Sequence, residues 1–205
     1  MTPRITPLSA LLATLGILCA LPATAEFSDG AWRLELSGGT AWDSGGSDRD
    51  GDLLATIAAE YEFLVTRRLS LGLRLLPLLL YTQDSGEDWR DDLRDLDDWD
   101  DLGDLLDDHD DDTVFGAGVG LSLRVYSKAE EMRGFFLELQ SNIFGHKNQF
   151  EGNDSNINFL SGAGLGYKFK FGMHLVGRVE HISNAGLGDR NSGVNTVSLG
   201  LGYSF

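Results

Sequence analysis

Thr113-Val114-Phe115-Gly116-Ala117-Gly118-Val119-Gly120-Leu121-Ser122-Leu123-Arg124-Val125-Tyr126 alternates along its whole length. Phe115, Ala117, Val119, Leu121, Leu123 and Val125 fall on one side. Gly116, Gly118, Gly120, Ser122 and Arg124 fall on the other. Strand side chains point to opposite faces with period two, so the stretch predicts a strand with one apolar face and one small or polar face. Working outward, the same reading predicts strands at Ala31 to Trp42, Leu54 to Leu64 and Leu69 to Thr82 on the N-terminal side. On the C-terminal side it predicts Phe135 to Phe144, Ile157 to Phe169, Met173 to Asn184 and Gly193 to Phe205. Pro77 interrupts the third strand; a proline cannot donate to a ladder, so a bulge or frayed pairing is expected there.

Eight strands of this length are long enough to cross a bilayer when tilted, which takes roughly 9–11 residues each. Lipid cannot satisfy a bare strand edge, so such strands must close on themselves. The fold class read from the sequence is therefore all-β: an eight-stranded antiparallel up-and-down transmembrane β-barrel. The apolar face is turned outward and the small or polar face inward. Eight strands leave room inside only for side chains. With 26 Gly and 4 Pro, the composition suits many strands. Connections after the first, third, fifth and seventh strands are long, and those after the second, fourth and sixth are short. Long loops face the outside in this class, which puts both termini in the periplasm. The final alternating strand ends in Phe205, like the assembly signature of bacterial outer-membrane barrels.

Residues 1–25 have the pattern of a secretory signal: Arg4, an apolar run from Leu8 to Leu21, and Ala23-Thr24-Ala25 before an expected mature start at Glu26. The barrel domain is then 26–205. Cys19 is the sole cysteine and lies inside the signal, so the mature chain has no disulfide framework and no thiolate chemistry.

The net charge of −16 is concentrated in one place. Asp84 to Asp112 holds 15 Asp and one Glu against two Arg, or −14 of the total. This is the acidic extracellular loop 83–112. It argues against a nucleic-acid partner, which needs a basic footprint. Leu93, Leu96, Trp99, Leu102, Leu105 and Leu106 recur at three- and four-residue steps, a short amphipathic helix or else a solvated acidic loop. Clustered carboxylates can take divalent cations, but the spacing does not match a calcium-binding loop.

The chemistry-bearing stretch is Val179-Glu180-His181-Ile182-Ser183-Asn184-Ala185-Gly186, followed by Asn191-Ser192-Gly193-Val194-Asn195. His181 and Ser183 are two apart on one strand and share a face with Met173, Leu175, Gly177 and Val179. That sets a candidate base and a candidate nucleophile at the outer end of an apolar row, on the lipid side. On the residues alone, a His and a Ser at a lipid–water boundary and an Asn-Ala-Gly turn read more readily as ordinary barrel chemistry.

In this position the H-x-S-N-A-G string, with the following N-S-G-V-N and an aromatic-ended strand, resembles the lipid A 3-O-deacylase family (PagL type). The close resemblance covers roughly the last 30 residues, and the eight-strand plan extends it loosely over the mature chain. It implies an outer-membrane enzyme that hydrolyses the ester-linked acyl chain at position 3 of lipid A, with no metal or other cofactor. It implies Ser183 as nucleophile, His181 as its general base, and Asn184 with the backbone near Gly186 as oxyanion donors. The family commonly has Glu twelve residues after the serine; here that position is Asn195. An amide can accept from the imidazole and fix its tautomer but brings no charge. The partner implied is lipid A, or lipopolysaccharide, of the outer leaflet, and association with a second copy is left open. The rival readings are a non-catalytic barrel of the same family, a cation-scavenging surface protein and a small pore.

Overall fold

The computed structural model describes residues 30–42, 49, 51–83, 113–128 and 131–205. The signal segment and nearly all of the acidic stretch 83–112, including its apolar repeat and His109, lie outside the described residues. Eight strands run in chain order: β1 (Ala31–Trp42), β2 (Leu53–Leu64), β3 (Leu69–Thr82), β4 (Thr113–Lys128), β5 (Arg133–Lys147), β6 (Ile157–Lys168), β7 (Met173–Ser183) and β8 (Val194–Ser204). Each pairs antiparallel with its neighbours in sequence, and β1 pairs with β8, so the sheet is a closed barrel without an edge. Trp32 and Phe205 exchange backbone hydrogen bonds of 3.0 and 2.9 Å beside the seam.

The alternation anticipated from sequence is the alternation of burial. Leu34, Leu36, Leu73, Leu137, Leu165 and Leu199 stand exposed on the outer wall, while their strand neighbours are buried or half-buried. An apolar outer wall is what a bilayer requires of a closed sheet. The irregularity at Pro77 is present. The register of β3 shifts between Leu76 and Leu79 against β4, and that of β2 shifts between Ile57 and Ala59 against β3. Leu76 and Leu79 are both buried although their numbers differ in parity, so the bulge reverses the faces for the rest of the strand.

The lumen is filled, and more heavily charged than small residues alone suggest. Arg33, Arg74, Arg124, Lys168 and Arg178 are buried there with Glu35, Glu60, Glu62, Glu138 and Glu180. Arg124 Nε donates to Glu138 Oε2 (2.6 Å), and Arg178 Nε donates to Glu138 Oε1 (2.6 Å). Arg178 Nη2 lies 2.8 Å from Glu35 Oε1, and Arg124 also pairs with Glu60. Five cations face five carboxylates, so mutual attraction offsets the loss of water. The inward glycines make the room. A Cβ on Gly202 would lie 2.3 Å from the His174 ring, which is buried against Glu35. The charged layer is closed off by apolar side chains. Leu54, Leu79, Tyr81, Phe144, Phe150 and Ile182 pack beneath the long loops, and Tyr126, Phe136 and Val176 form a separate cluster.

Candidate active site

On β7 the outward row Met173, Leu175, Gly177 and Val179 is exposed, His181 is half-buried and Ser183 is 2% exposed. Ile182, between them, belongs to the inner apolar cluster, so by alternation His181 and Ser183 take the outer face. Glu180 is buried inside, accepting from Gln140 Nε2 (2.6 Å) and Ser198 Oγ (2.5 Å). It does not serve His181.

Asn195 is the register partner of His181 on β8, and its Oδ1 lies 2.8 Å from His181 Nδ1. Since an amide oxygen can only accept, Nδ1 carries the proton and Nε2 keeps its lone pair. The ring lies against Gly193. A Cβ there would be 2.6 Å from His181 Cε1 and 3.2 Å from Nε2. The bare α-carbon of Gly193 is therefore the seat on which the imidazole rests. Ser183 Oγ is buried and has no hydrogen-bond partner among the described residues. The structure thus brings His181 and Asn195 into contact and leaves the Ser183 hydroxyl unspent on the same face, without a bond to His181. Phe159 of β6 is the register partner of Ser183.

β7 ends at a tight turn. Asn184 Oδ1 accepts from Gly186 N (2.9 Å), and Asn184 O accepts from Leu187 N (3.0 Å). Ala185 and Gly186 both have positive φ, 54° and 85°. Glycine takes that conformation freely, whereas an alanine there is held at a cost of about 1 kcal/mol or more. The turn is over-determined by a second loop. Asn184, wholly buried, donates to Asn153 Oδ1 (3.1 Å) and to Arg190 O (2.8 Å), and its N–H donates to Asn191 Oδ1 (3.0 Å). Ser192 N donates to Gly152 O (2.9 Å), and Asp154 Oδ2 accepts from Asp189 N and Arg190 N at 3.1 Å each. The polar chain continues from Asn153 through Asn158 to His146 Nε2 (2.7 Å).

Of the groups that the resemblance implies as oxyanion donors, the Asn184 side chain and the Gly186 N–H make bonds inside the loops. Both hydrogens of the Asn184 side-chain amide are spent inside the loops, and the Gly186 N–H is spent on Asn184. Neither is available to a substrate in this arrangement. The turn uses the N–H groups of Asn184, Gly186 and Leu187, and that of Ala185 has no acceptor among the described residues. His146 is turned inward to Asn158, and His174 is buried inside the barrel. Asp189 is held by its backbone to Asp154. The residues missed from sequence are Gly193 and the clasp formed by Asn153 and Asp154. An N-S-G string says nothing of what lies over the glycine, and Asn153, which takes one hydrogen of the Asn184 amide, comes from a loop 31 residues away.

Against this geometry, comparison with known proteins is decisive for the family. The profile of the family described as Lipid A 3-O-deacylase (PagL) matches residues 19–204. The chain belongs to the lipid A 3-O-deacylase family. Its fold also matches the crystal structure of the outer membrane enzyme PagL, with a TM-score of 0.52 and 16% identity over 83% of this chain and 98% of that one. The crystal structure of Neisserial surface protein A (NspA) matches with a TM-score of 0.51 and 11% identity, covering 88% of this chain and 99% of that one. At these identities the two structures speak for the fold. No curated protein sequence matches. Family and fold together place the chain in the bacterial outer membrane.

Proposed function

We propose that this member of the family is a serine esterase that removes the acyl chain ester-linked at position 3 of lipid A. The observation that carries the reading is the His181–Asn195 hydrogen bond on the lipid side. It fixes the tautomer that a general base needs, with the lone pair on Nε2, and the same outer face holds an unspent serine hydroxyl.

Lipid A approaches from the outer leaflet and lays an acyl chain along the apolar row that runs from Val179 to Met173. The ester displaces what covers Ser183, and Ser183 Oγ adds to the carbonyl carbon while its proton passes to His181 Nε2. Collapse breaks the bond to the sugar oxygen, which takes that proton, and the acyl group stays on Ser183. Water then gives a proton to the same nitrogen and adds to the acyl carbon. The fatty acid leaves and the hydroxyl is restored. Asn195 holds the imidazole through both steps but adds no charge to stabilise the imidazolium. The Ala185 N–H, one residue beyond Ser183's neighbour, is the backbone donor left for the oxyanion, and the clasped turn preorganises it.

The absent Ser183–His181 hydrogen bond favours a second reading, a barrel that binds lipid A without cutting it. One experiment separates the two. Purified protein in detergent micelles is incubated with lipid A and with a serine-directed phosphonate ester. Release of the fatty acid, and a covalent mass increase located on Ser183, support the esterase. Neither product would leave the lipid-binding barrel.

A further inference from the structure

Within its membrane-facing span, the outer wall of β5 to β8 is apolar apart from Ser183 and one row. Asn195 faces His181, His181 faces Ser161 on β6, and Ser161 faces Ser141 on β5. The outward positions beside the row are apolar: Leu139 and Ile143 on β5, Phe159 and Ala163 on β6, Val179 on β7 and Val197 on β8. The row therefore extends the His181–Asn195 pair across two further strands.

Ser141 Oγ and Ser161 Oγ are 3.0 Å apart. Two hydroxyls bring two O–H donors, and the bond between them uses one. The other has no bond among the described residues and lies on the lipid side. Ser141 is 5% exposed and Ser161 only half-buried. Either hydroxyl can donate, and the arrangement that leaves no buried donor unpaired has Ser141 donating. In that arrangement the spare O–H is on Ser161, the more accessible of the two, and is open to an acceptor brought by the lipid. Neighbours on a diagonal across two strands are roughly 7–8 Å apart. By that measure Ser161 stands too far from Ser183 to share the scissile carbonyl, and near enough to meet another group of the same lipid.

We propose that Ser161 is a subsite for an acyl carbonyl, ester or amide, adjacent to the one presented to Ser183, and that Ser141 is the positioning residue that orients it. This rests on the esterase reading for its reaction, but its binding half stands separately. Two sources offer the same carbonyl, lipid A and the glycerophospholipids around it, and the test carries an arm for each.

Ser161→Ala, Ser161→Thr and Ser141→Ala are purified beside wild type and Ser183→Ala. Alanine on a lipid-facing wall removes no packing that the barrel depends on, and circular dichroism confirms the strand signal. Lipid A hydrolysis in mixed micelles is resolved into KM and kcat. Loss of one neutral hydrogen bond to a bound group corresponds to about a five- to tenfold change. Ser161→Ala raises KM by that factor with kcat within twofold, Ser161→Thr restores it, and Ser141→Ala shifts it in the same direction by less. An unchanged KM for Ser161→Ala, with Ser183→Ala inactive, overturns the subsite and leaves the esterase intact.

Retention of lipid A and of phosphatidylethanolamine is measured by native mass spectrometry, with Ser161→Ala introduced into Ser183→Ala. A five- to tenfold loss of lipid A alone, or of both lipids, supports the subsite and names its source. Equal retention overturns it. This arm decides the subsite even if wild type cuts nothing, a result that would sink the esterase reading alone.

Discussion

Asn195→Asp is the most informative single change, because it keeps the side chain's shape and its acceptor oxygen while adding a charge and removing the amide N–H donors. The two side chains are isosteric, so the acceptor stays 2.8 Å from His181 Nδ1 and directly across the β7–β8 register. What changes is the partner offered to the imidazolium as Ser183 gives up its proton. A hydrogen bond to a charged group is worth roughly 1.5–3 kcal/mol, against about 0.5–1.5 for a neutral one. The difference, roughly 1–1.5 kcal/mol, falls mainly on the charged transition state and corresponds to about a fivefold to tenfold gain in kcat. Asn195→Ala goes the other way. It removes the acceptor, frees the ring to turn and lets Nε2 carry the proton, so kcat falls by at least about tenfold; a serine protease whose triad acid was changed to an amide lost about 10⁴, chiefly through the tautomer. The assay is release of fatty acid from lipid A in micelles, at saturating lipid so that kcat is read directly. If Asn195→Ala works as fast as wild type, the pair does not orient a base, and the argument from geometry fails.

Gly193→Ala places a methyl where the His181 ring lies, 2.6 Å from Cε1. The ring must leave its seat, so kcat drops by more than tenfold while lipid retention in a Ser183→Ala background is unchanged; equal kcat would refute the seat. Asn184→Ala strips acceptors and donors from Asn153, Arg190 and Gly186 at once. It costs about 1–3 kcal/mol for each buried group left unpaired, read as earlier proteolysis of the loops 148–156 and 184–193 with the strand signal intact. Arg124→Ala leaves Glu60 and Glu138 buried without their common partner. It destabilises the barrel by roughly 3–5 kcal/mol in urea titrations from lipid vesicles; a loss below about 1 kcal/mol would mean the lumen is wetter than it is drawn here.

Which parts of this were legible in the sequence follows from what each depends on. The eight strands were, because a lipid-facing wall forces Leu, Val and Phe onto alternate residues, and alternation is a local property. Stretches such as Thr113 to Tyr126 carry it without help from elsewhere. The ends of β4 and β5 were drawn short, at Tyr126 and Phe144, because polar Ser127, Lys128, His146 and Lys147 break the apolar rhythm while the ladder continues through them. The bulge was announced by Pro77, since a missing N–H needs no partner to be seen. The lumen was not. Arg33, Glu60, Arg124 and Glu138 sit at inward parity, but which carboxylate each arginine meets depends on how the barrel closes. At the site, the facing of His181 and Asn195 followed from parity on two adjacent strands. Ser183's empty hydroxyl, the ring on Gly193 and the commitment of Asn184 to Asn153 did not, because each depends on a rotamer or on a loop that only the closed sheet brings near. The row through Ser161 and Ser141 needed the register of four strands at once.

The most direct test of the central claim is made in the membrane where the protein works. Lipid A is extracted from cells expressing wild type or Ser183→Ala at equal levels in the outer membrane, and its mass spectra are compared. An esterase acting through an outward Ser183 leaves wild-type lipid A lighter by one acyl chain, missing from position 3, and the variant's lipid A whole. Identical spectra from the two would contradict it.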